Sequence, residues 1–570
     1  MAFSKTHIPT CQTDRPGFQY AIHGQFWIIA GAGLVTVLLA QSITTVPYGR
    51  AIWDFLFLLD GAYRISIGQV PHVDFISPVG PLSLYLTFAA ETLLPRANPF
   101  ASLHALAFLL TLPALAMLAP RFRSGAETTG ALALLVVIML VPFTLDSTHL
   151  SEISYFASYN RFASGFLFLV CLWYVLPKGR TDGPLLAYLI TLLFFLKITA
   201  AAAALGIVLS AVIFGRVPPR TLLIATAGLI AAAVAINLPS GMVAGYLTDV
   251  SNMSALNRGR GVYALAQSAF RNWIVLAIVV ALVIAALRTF TLTIPSPLRR
   301  PVTTIVSFVR SEVFAMDMVL LVGAALIAES QNTGGIGLVA AAAVLFHPRA
   351  CSDGSRHATA ALLLGAALLL PLADTTLKRT FTEAVRSREA VLTHPIEAMM
   401  PGTRVPRATA EGARIFERIA AEWLGFAREV QQNGFFLDPD PTSNASASRL
   451  AWATSAVQAA REFDRVGYRR HAHRVATLAF ADPFARMLRL TPARRTTIAT
   501  EIGRTIPVLT AEAARRYLAD ADAVFVSRCE LHSDANSAIF QSVLDREFER
   551  LPLHRCWEFY RRSSSTGAKS

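Results

Sequence analysis

Long apolar runs separated by short polar segments fill the first two-thirds of the chain, and they set the expected architecture. A membrane-spanning helix needs about 20 predominantly apolar residues, and a bundle accommodates shorter ones. Phe26 to Val46 meets that length directly. Further runs lie at Phe100 to Leu118, Gly130 to Leu145, Phe162 to Leu176, Leu222 to Leu238 and Trp273 to Leu287. Val313 to Ala328, Gly335 to Phe346 and Ala358 to Leu372 complete the series. Pro184 to Phe214 is apolar except around Lys197; split there into two short helices, it brings the total to about eleven spans. Pro81 to Leu94 is apolar but short and bounded by proline, which suits a helix lying at or dipping into the membrane interface.

After Asp374 the apolar runs stop. Ala410 to Gln432 has helical spacing, with Ile415, Ile419, Trp423 and Phe426 on one face. Val475 to Phe480, Ala523 to Ser527 and Trp557 to Tyr560 read as short strands, and Thr510 to Leu518 and Ala538 to Phe548 as helices. The expectation is a polytopic α-helical membrane domain over 1–373 and a soluble α/β domain over 374–570.

Composition agrees: with 54% hydrophobic and 15% charged residues in 570, the chain is too apolar for an ordinary soluble protein. The formal charge of +14 raises the question of nucleic acid, but the cations of the membrane half sit in short segments between apolar runs. They read as topology signals and as partners for anionic lipid, not nucleic acid. Arg121 and Arg123, Lys178 and Arg180, Arg216 and Arg220, and Arg349 and Arg356 fall on alternate segments. That pattern places the N-terminus in the cytoplasm, and it puts 47–99, 240–272 and the C-terminal domain outside the membrane. The first apolar run has no clear cleavage site after it and is expected to be a retained helix. The cysteines lack zinc-type spacing and His471-Ala-His473 has no further ligands, so no metal and no cofactor are expected.

The candidate chemistry concentrates in the first external loop. Asp54 follows the first span; Tyr63, Arg64, Gly68, Pro71, His72, Asp74 and Phe75 come next, then Gly80, Pro81 and Tyr85. An acid, a twenty-residue interval ending Gly-x-x-Pro-x-x-Asp-Phe and a Gly-Pro-Leu-x-x-Tyr run resemble the first periplasmic loop of GT-C class glycosyltransferases. That class uses polyprenyl-phosphate sugars and includes protein mannosyltransferases and aminoarabinose transferases. The resemblance implies that Asp54 is catalytic and that transfer is a single displacement with inversion. It implies a GT-C-like fold, a lipid-linked donor, a cell-envelope glycan or glycolipid acceptor, and a bacterial inner membrane location. Two positions depart from the pattern: His72 stands where an aromatic tyrosine is common, and Phe55 replaces a frequent second acid, which removes a metal ligand.

Asp74 is read either as a second catalytic-site acid that orients substrate or as a cap for its own loop. Lys197 and Arg161 are candidates for the donor phosphate, as are Arg258 and Arg260 in Asn-Arg-Gly-Arg-Gly. For Lys197 the alternative is a side chain reaching from a helix end to the interface. Tyr63, Arg64, His72, Tyr85, Glu329 and Asn332 are candidate substrate contacts, with ordinary loop and helix-end polarity as the alternative. Cys529 and Cys556 fall near strands of a domain expected outside, where a disulfide is allowed. The competing function is a transporter or flippase of lipid-linked sugars, which would more often show paired repeats that are not evident here. A third reading is a catalytically inactive scaffold for the C-terminal domain.

Overall fold

A computed structural model describes residues 17–563, apart from residues 50, 144–154, 156, 294–311, 331–335, 352–355, 387–389, 392–393, 423–443 and 530–533. Asn332, one of the expected substrate contacts, lies outside the described residues.

Apolar helices run back and forth between two ends of a bundle. Helix α8 (Asp182–Leu196) starts where Arg121 pairs with Asp182 at 2.5 Å. Helix α9 (Ile198–Ile213) leads back to Arg216, which pairs with Asp317 near the start of α14 (Val313–Glu329). Asp317 is fully buried and also takes the Tyr174 hydroxyl at 3.1 Å and His347 Nε2 at 3.1 Å, so this charged end is closed by a connected network. At the opposite end, α14 finishes beside Lys197, whose Nζ donates to the Ala328 carbonyl at 3.3 Å. Lys197 is the extended residue at which α8 stops and α9 starts.

Among the described residues four helices are long and apolar enough to cross a membrane: Gly24–Ser42, Pro99–Arg121, Pro219–Ser240 and Arg356–Thr382. A fifth is obtained if the bent pair Arg260–Arg271 and Trp273–Arg288 counts as one span. The expected count of about eleven is therefore not reached by length. Gly125–Leu140, Asp182–Leu196, Ile198–Ile213 and Gly337–Phe346 are apolar but shorter, and the last is a 3-10 helix. The break at Lys197 falls where the sequence places it, and each half, Asp182–Leu196 and Ile198–Ile213, stays below spanning length.

The first loop forms two packed helices, α2 (Ile52–Ser66) and α3 (Pro81–Leu93), with a turn between them that rests on the bundle. Gly80 lies so close to the end of α8 that a Cβ there would collide with the Phe195 and Leu196 carbonyl oxygens. The turn at Pro71–Phe75 meets α11 (Met242–Leu256) in the same way: a Cβ on Gly245 would strike the His72 carbonyl. His72 Nδ1 bonds Asp249 at 2.7 Å, and the Tyr246 hydroxyl reaches the Phe194 carbonyl at 3.1 Å.

The C-terminal part is built on this loop. Strand β1 (Val46–Pro47), just past the first helix, pairs in parallel with β3 (Thr403–Pro406), and β3 pairs antiparallel with β2 (Ala390–Val391). The larger sheet has the order β5-β4-β6-β8-β7, made of Thr491–Pro492, Arg474–Leu478, Ala523–Ser527, Trp557–Arg562 and Phe548–His554. Its β4 pairs in parallel with β5 and β6, and β8 is antiparallel to both neighbours. Helix α17 (Asn444–Val466) and strand β7, neither expected from the sequence, complete the domain. The helix Arg356–Arg386 runs through residue 373, so the boundary placed there falls inside a helix. One apolar core joins the two parts, with Phe55, Leu56, Trp452 and Trp557 among its buried members. Cys529 and Cys556 are bonded, with Cα atoms 4.9 Å apart.

Candidate active site

Asp54 lies in the first turn of α2, where its own N–H donates to the Ala51 carbonyl at 3.0 Å. Its Oδ2 accepts the Ala157 N–H at 2.7 Å, so the carboxylate caps the start of a second helix, α7 (Ser158–Val175). A carboxylate at a helix N-terminus meets unpaired N–H groups and a favourable dipole. Both flanking residues, Ala51 (φ 58) and Ala157 (φ 46), hold left-handed backbone that costs a non-glycine residue roughly 1–3 kcal/mol. Two such residues on facing helix starts set the carboxylate at their junction.

The C-terminal domain covers this junction. The Trp53 and Trp452 rings meet edge to face at 4.1 Å, and the Tyr48 hydroxyl donates to the Ser446 carbonyl at 3.2 Å. These contacts lay the first turns of α17 across the start of α2 and bring Arg449 toward Asp54. The turn 501–506 supplies Glu501 and Arg504, and its Arg504 carbonyl accepts Asn257 Nδ2 at 3.3 Å from the end of α11. Arg504 is paired with Glu501 at 3.1 Å, and Tyr159 lies within electrostatic reach of Asp54 and Arg504. Asp54 keeps partial exposure, yet its carboxyl is enclosed enough that desolvation pushes it up to about 6. The Ala157 N–H, Arg504 and Arg449 pull against that rise, and Glu501 adds to it.

The other expected site residues are placed as follows. Asp74 closes its own loop: its Oδ2 takes the Val70 N–H at 2.8 Å, and Arg494 Nε stands 3.5 Å from Oδ1. Arg64 is 2% exposed and committed to Asp60 at 2.9 Å, the Ala493 carbonyl at 3.2 Å and Thr496 at 3.2 Å. The Tyr63 hydroxyl reaches the Leu490 carbonyl at 3.1 Å. Both residues fasten the C-terminal domain to α2. The His72 ring is buried against Asp249 and Tyr246.

Arg161 is buried, and its guanidinium serves the Ile138 carbonyl at 3.1 Å and the Phe143 carbonyl, at and beyond the end of α6 (Gly125–Leu140). Lys197 has Glu329 as its charged neighbour, and Glu329 Oε2 also accepts the Gly337 N–H at 2.6 Å. These partners hold helix ends together, and the cations whose charge reaches Asp54 are Arg504 and Arg449. Arg258 and Arg260 are exposed next to Asn257, and Tyr85 is exposed on α3. Among the described residues no cluster of three or more potential metal ligands occurs. An open groove of about 410 Å³ lined by Arg550, His554 and Glu558 shares no residue with the Asp54 site.

Sequence reasoning missed Arg449, Glu501 and Arg504. The only local signal for the last two is the turn chemistry of Glu501-Ile-Gly-Arg504, in which Gly503 has φ 79.

No protein-family model matches this sequence, and no curated protein matches it. Among solved structures the chain is similar to an archaeal oligosaccharyltransferase, AglB from Archaeoglobus fulgidus, in complex with an inhibitory peptide and a dolichol-phosphate. The two are 11% identical, the match covers 98% of this chain and 76% of that one, and the TM-score is 0.25. So slight an overlap assigns neither fold nor activity to this chain.

Proposed function

We propose that the chain is a membrane glycosyltransferase that moves a sugar from a polyprenyl-phosphate donor to a hydroxyl of a cell-envelope glycan or glycolipid. The observation that carries this reading is Asp54, a partly exposed residue whose enclosed carboxylate lies at a junction of two helix starts, within electrostatic reach of Arg504 and Arg449. In this role Asp54 takes the acceptor hydroxyl proton as its oxygen attacks the anomeric carbon. The carbon–oxygen bond to phosphate breaks, and the phosphate leaves with the electron pair. One carboxylate suffices, because the phosphate is already a good leaving group and the developing charge on it falls to the two arginines. A single carboxylate acting as base on the acceptor hydroxyl suits single displacement with inversion.

The Cys529–Cys556 disulfide favours an extracytoplasmic domain, since such bonds persist on the oxidising side of a membrane. The site is then on the outer face and the network around Asp317 on the cytoplasmic one. The extensive fastening of the C-terminal domain onto α2 fits a transferase better than a transporter, which must expose its site to both sides in turn.

The test is transfer from a panel of radiolabelled polyprenyl-phosphate sugars by the purified full chain, wild type beside Asp54→Asn. Consumption of one donor by the wild type, and its loss in the variant, is expected. If no donor is consumed, or if the variant keeps wild-type turnover, the proposal is wrong.

A further inference from the structure

A segment outside the proposed site has the character of a surface-lying helix. Helix α12 (Arg260–Arg271) follows the Arg258–Gly259 turn and is separated by Asn272 from α13 (Trp273–Thr293). The bend between α12 and the apolar stretch Trp273–Arg288 is 82°, so α12 runs almost perpendicular to the helix that follows. Asn272 builds the bend in, because its Nδ2 folds back to the Ser268 carbonyl at 2.9 Å and ends α12 there.

Residue spacing divides α12 into two faces. Val262, Leu265, Ala266, Ala269 and Phe270 share one side, while Arg260, Gln267 and Arg271 share the other. The apolar side is open: Val262 is 79% exposed and Phe270 80% exposed. Trp273, at the first turn of α13, is 61% exposed, and such residues mark membrane–water boundaries. Small and polar positions, including the buried Ser268, face the protein, where α12 packs on α14.

We infer that α12 lies flat in the outer interface of the bilayer, with Val262, Ala266 and Phe270 among the acyl chains and Arg260 and Arg271 at the level of the lipid phosphates. The alternative, α12 as the upper part of a broken span, fails on two counts. A segment at 82° to α13 adds almost no depth, and its arginine face would sit in hydrocarbon. An amphipathic helix of this kind settles about 5–10 Å into the headgroup boundary. The bilayer is the occupant the structure favours because α12 is continuous with an apolar helix whose own Val280 and Ile284 are exposed. The inference rests on α13 crossing the membrane and not on the sugar chemistry. A chain that consumes no donor leaves it standing.

The test uses the full chain with Cys11 and Cys351 changed to Ser, in nanodiscs of phosphatidylethanolamine and phosphatidylglycerol. Cys171 is buried and the remaining pair is bonded, so single cysteines at 260, 262, 266, 267, 270 and 271 can be spin-labelled. Collision with oxygen relative to a water-soluble nickel chelate is expected to be several times higher at 262, 266 and 270 than at the other three. A label at Val280 reports whether α13 is in lipid. Uniformly high nickel access along α12 overturns the inference, as does exclusion of both reagents from 262, 266 and 270, which would mean protein cover. On the unsubstituted protein, phosphatidylglycerol with a diazirine in its acyl chain should label the peptide spanning 262–270. Label on α13 without label there also overturns it.

Discussion

As the proposed base, Asp54 combines two demands that ordinarily conflict. In that role its carboxylate must be ionised to accept a proton, while its surroundings favour the neutral acid. A value near 6 resolves the conflict for a base working at neutral pH. The sign follows: below about pH 6 the carboxyl is protonated, so kcat/KM is expected to fall about tenfold per pH unit on the acid side and to level off above. A pH–rate profile of donor consumption checks this. Asp54→Asn keeps an oxygen for the Ala157 N–H but loses the base, so turnover should drop about 10²–10⁴-fold with the thermal transition little changed. Arg449→Gln is expected to raise KM for the lipid-phosphate donor more than it lowers kcat, measured by initial rates over a donor series. Asp60 makes the contrast: its removal leaves Arg64 buried without its acid, and Asp60→Ala should cost about 3–5 kcal/mol of stability by thermal unfolding.

At the scale of elements, the first loop is held by backbone contact as much as by side chains. Gly80 against α8 and Gly245 against the His72 turn are positions where no Cβ fits. Gly80→Ala should therefore push α3 off the end of α8 and lower the folded yield in fluorescence-detected size exclusion. Substituting Gly206, which has open space around its Cβ position, should not. The apolar runs, α3 as a short proline-bounded helix, and strands β4, β6 and β8 were legible because periodicity and apolar length are local. Helix α17 was not: small residues in Asn444–Val466 mute the apolar stripe, and its burial comes from the helix Arg407–Glu422, the sheet and the contact of Trp452 with Trp53.

For the whole molecule, the membrane half and the C-terminal domain are interlocked, through β1 with β3, Asn98 with the Pro401 and Gly402 carbonyls, and Arg64 with Ala493 and Thr496. The domain is therefore a wall of the proposed site and not an appendage. The Cys529–Cys556 bond spans a sequence separation of 27, for which chain-entropy arguments give about 3–4 kcal/mol of stabilisation. Cys529→Ser with Cys556→Ser should lower the unfolding temperature, and transfer should fall with it if the domain carries Arg449 and Arg504 into place.

By itself the sequence determined what is local: a strongly apolar helical chain, alternation of cationic and acidic connections, a polar loop after the first helix, and Asp54 as its leading acid. These follow from composition, periodicity and the cost of placing charge in hydrocarbon. Only the tertiary structure decided which cations face Asp54. Arg161, Lys197, Arg449 and Arg504 are all cations, and nothing local marks the last two as the neighbours of Asp54. The first two meet carbonyl groups or an acid at helix ends, whereas packing of Trp452 on Trp53 and of Arg504's turn on Asn257 brings the other two to the carboxylate. Long-range contacts between residues hundreds of positions apart set that choice, and no short window of sequence contains them.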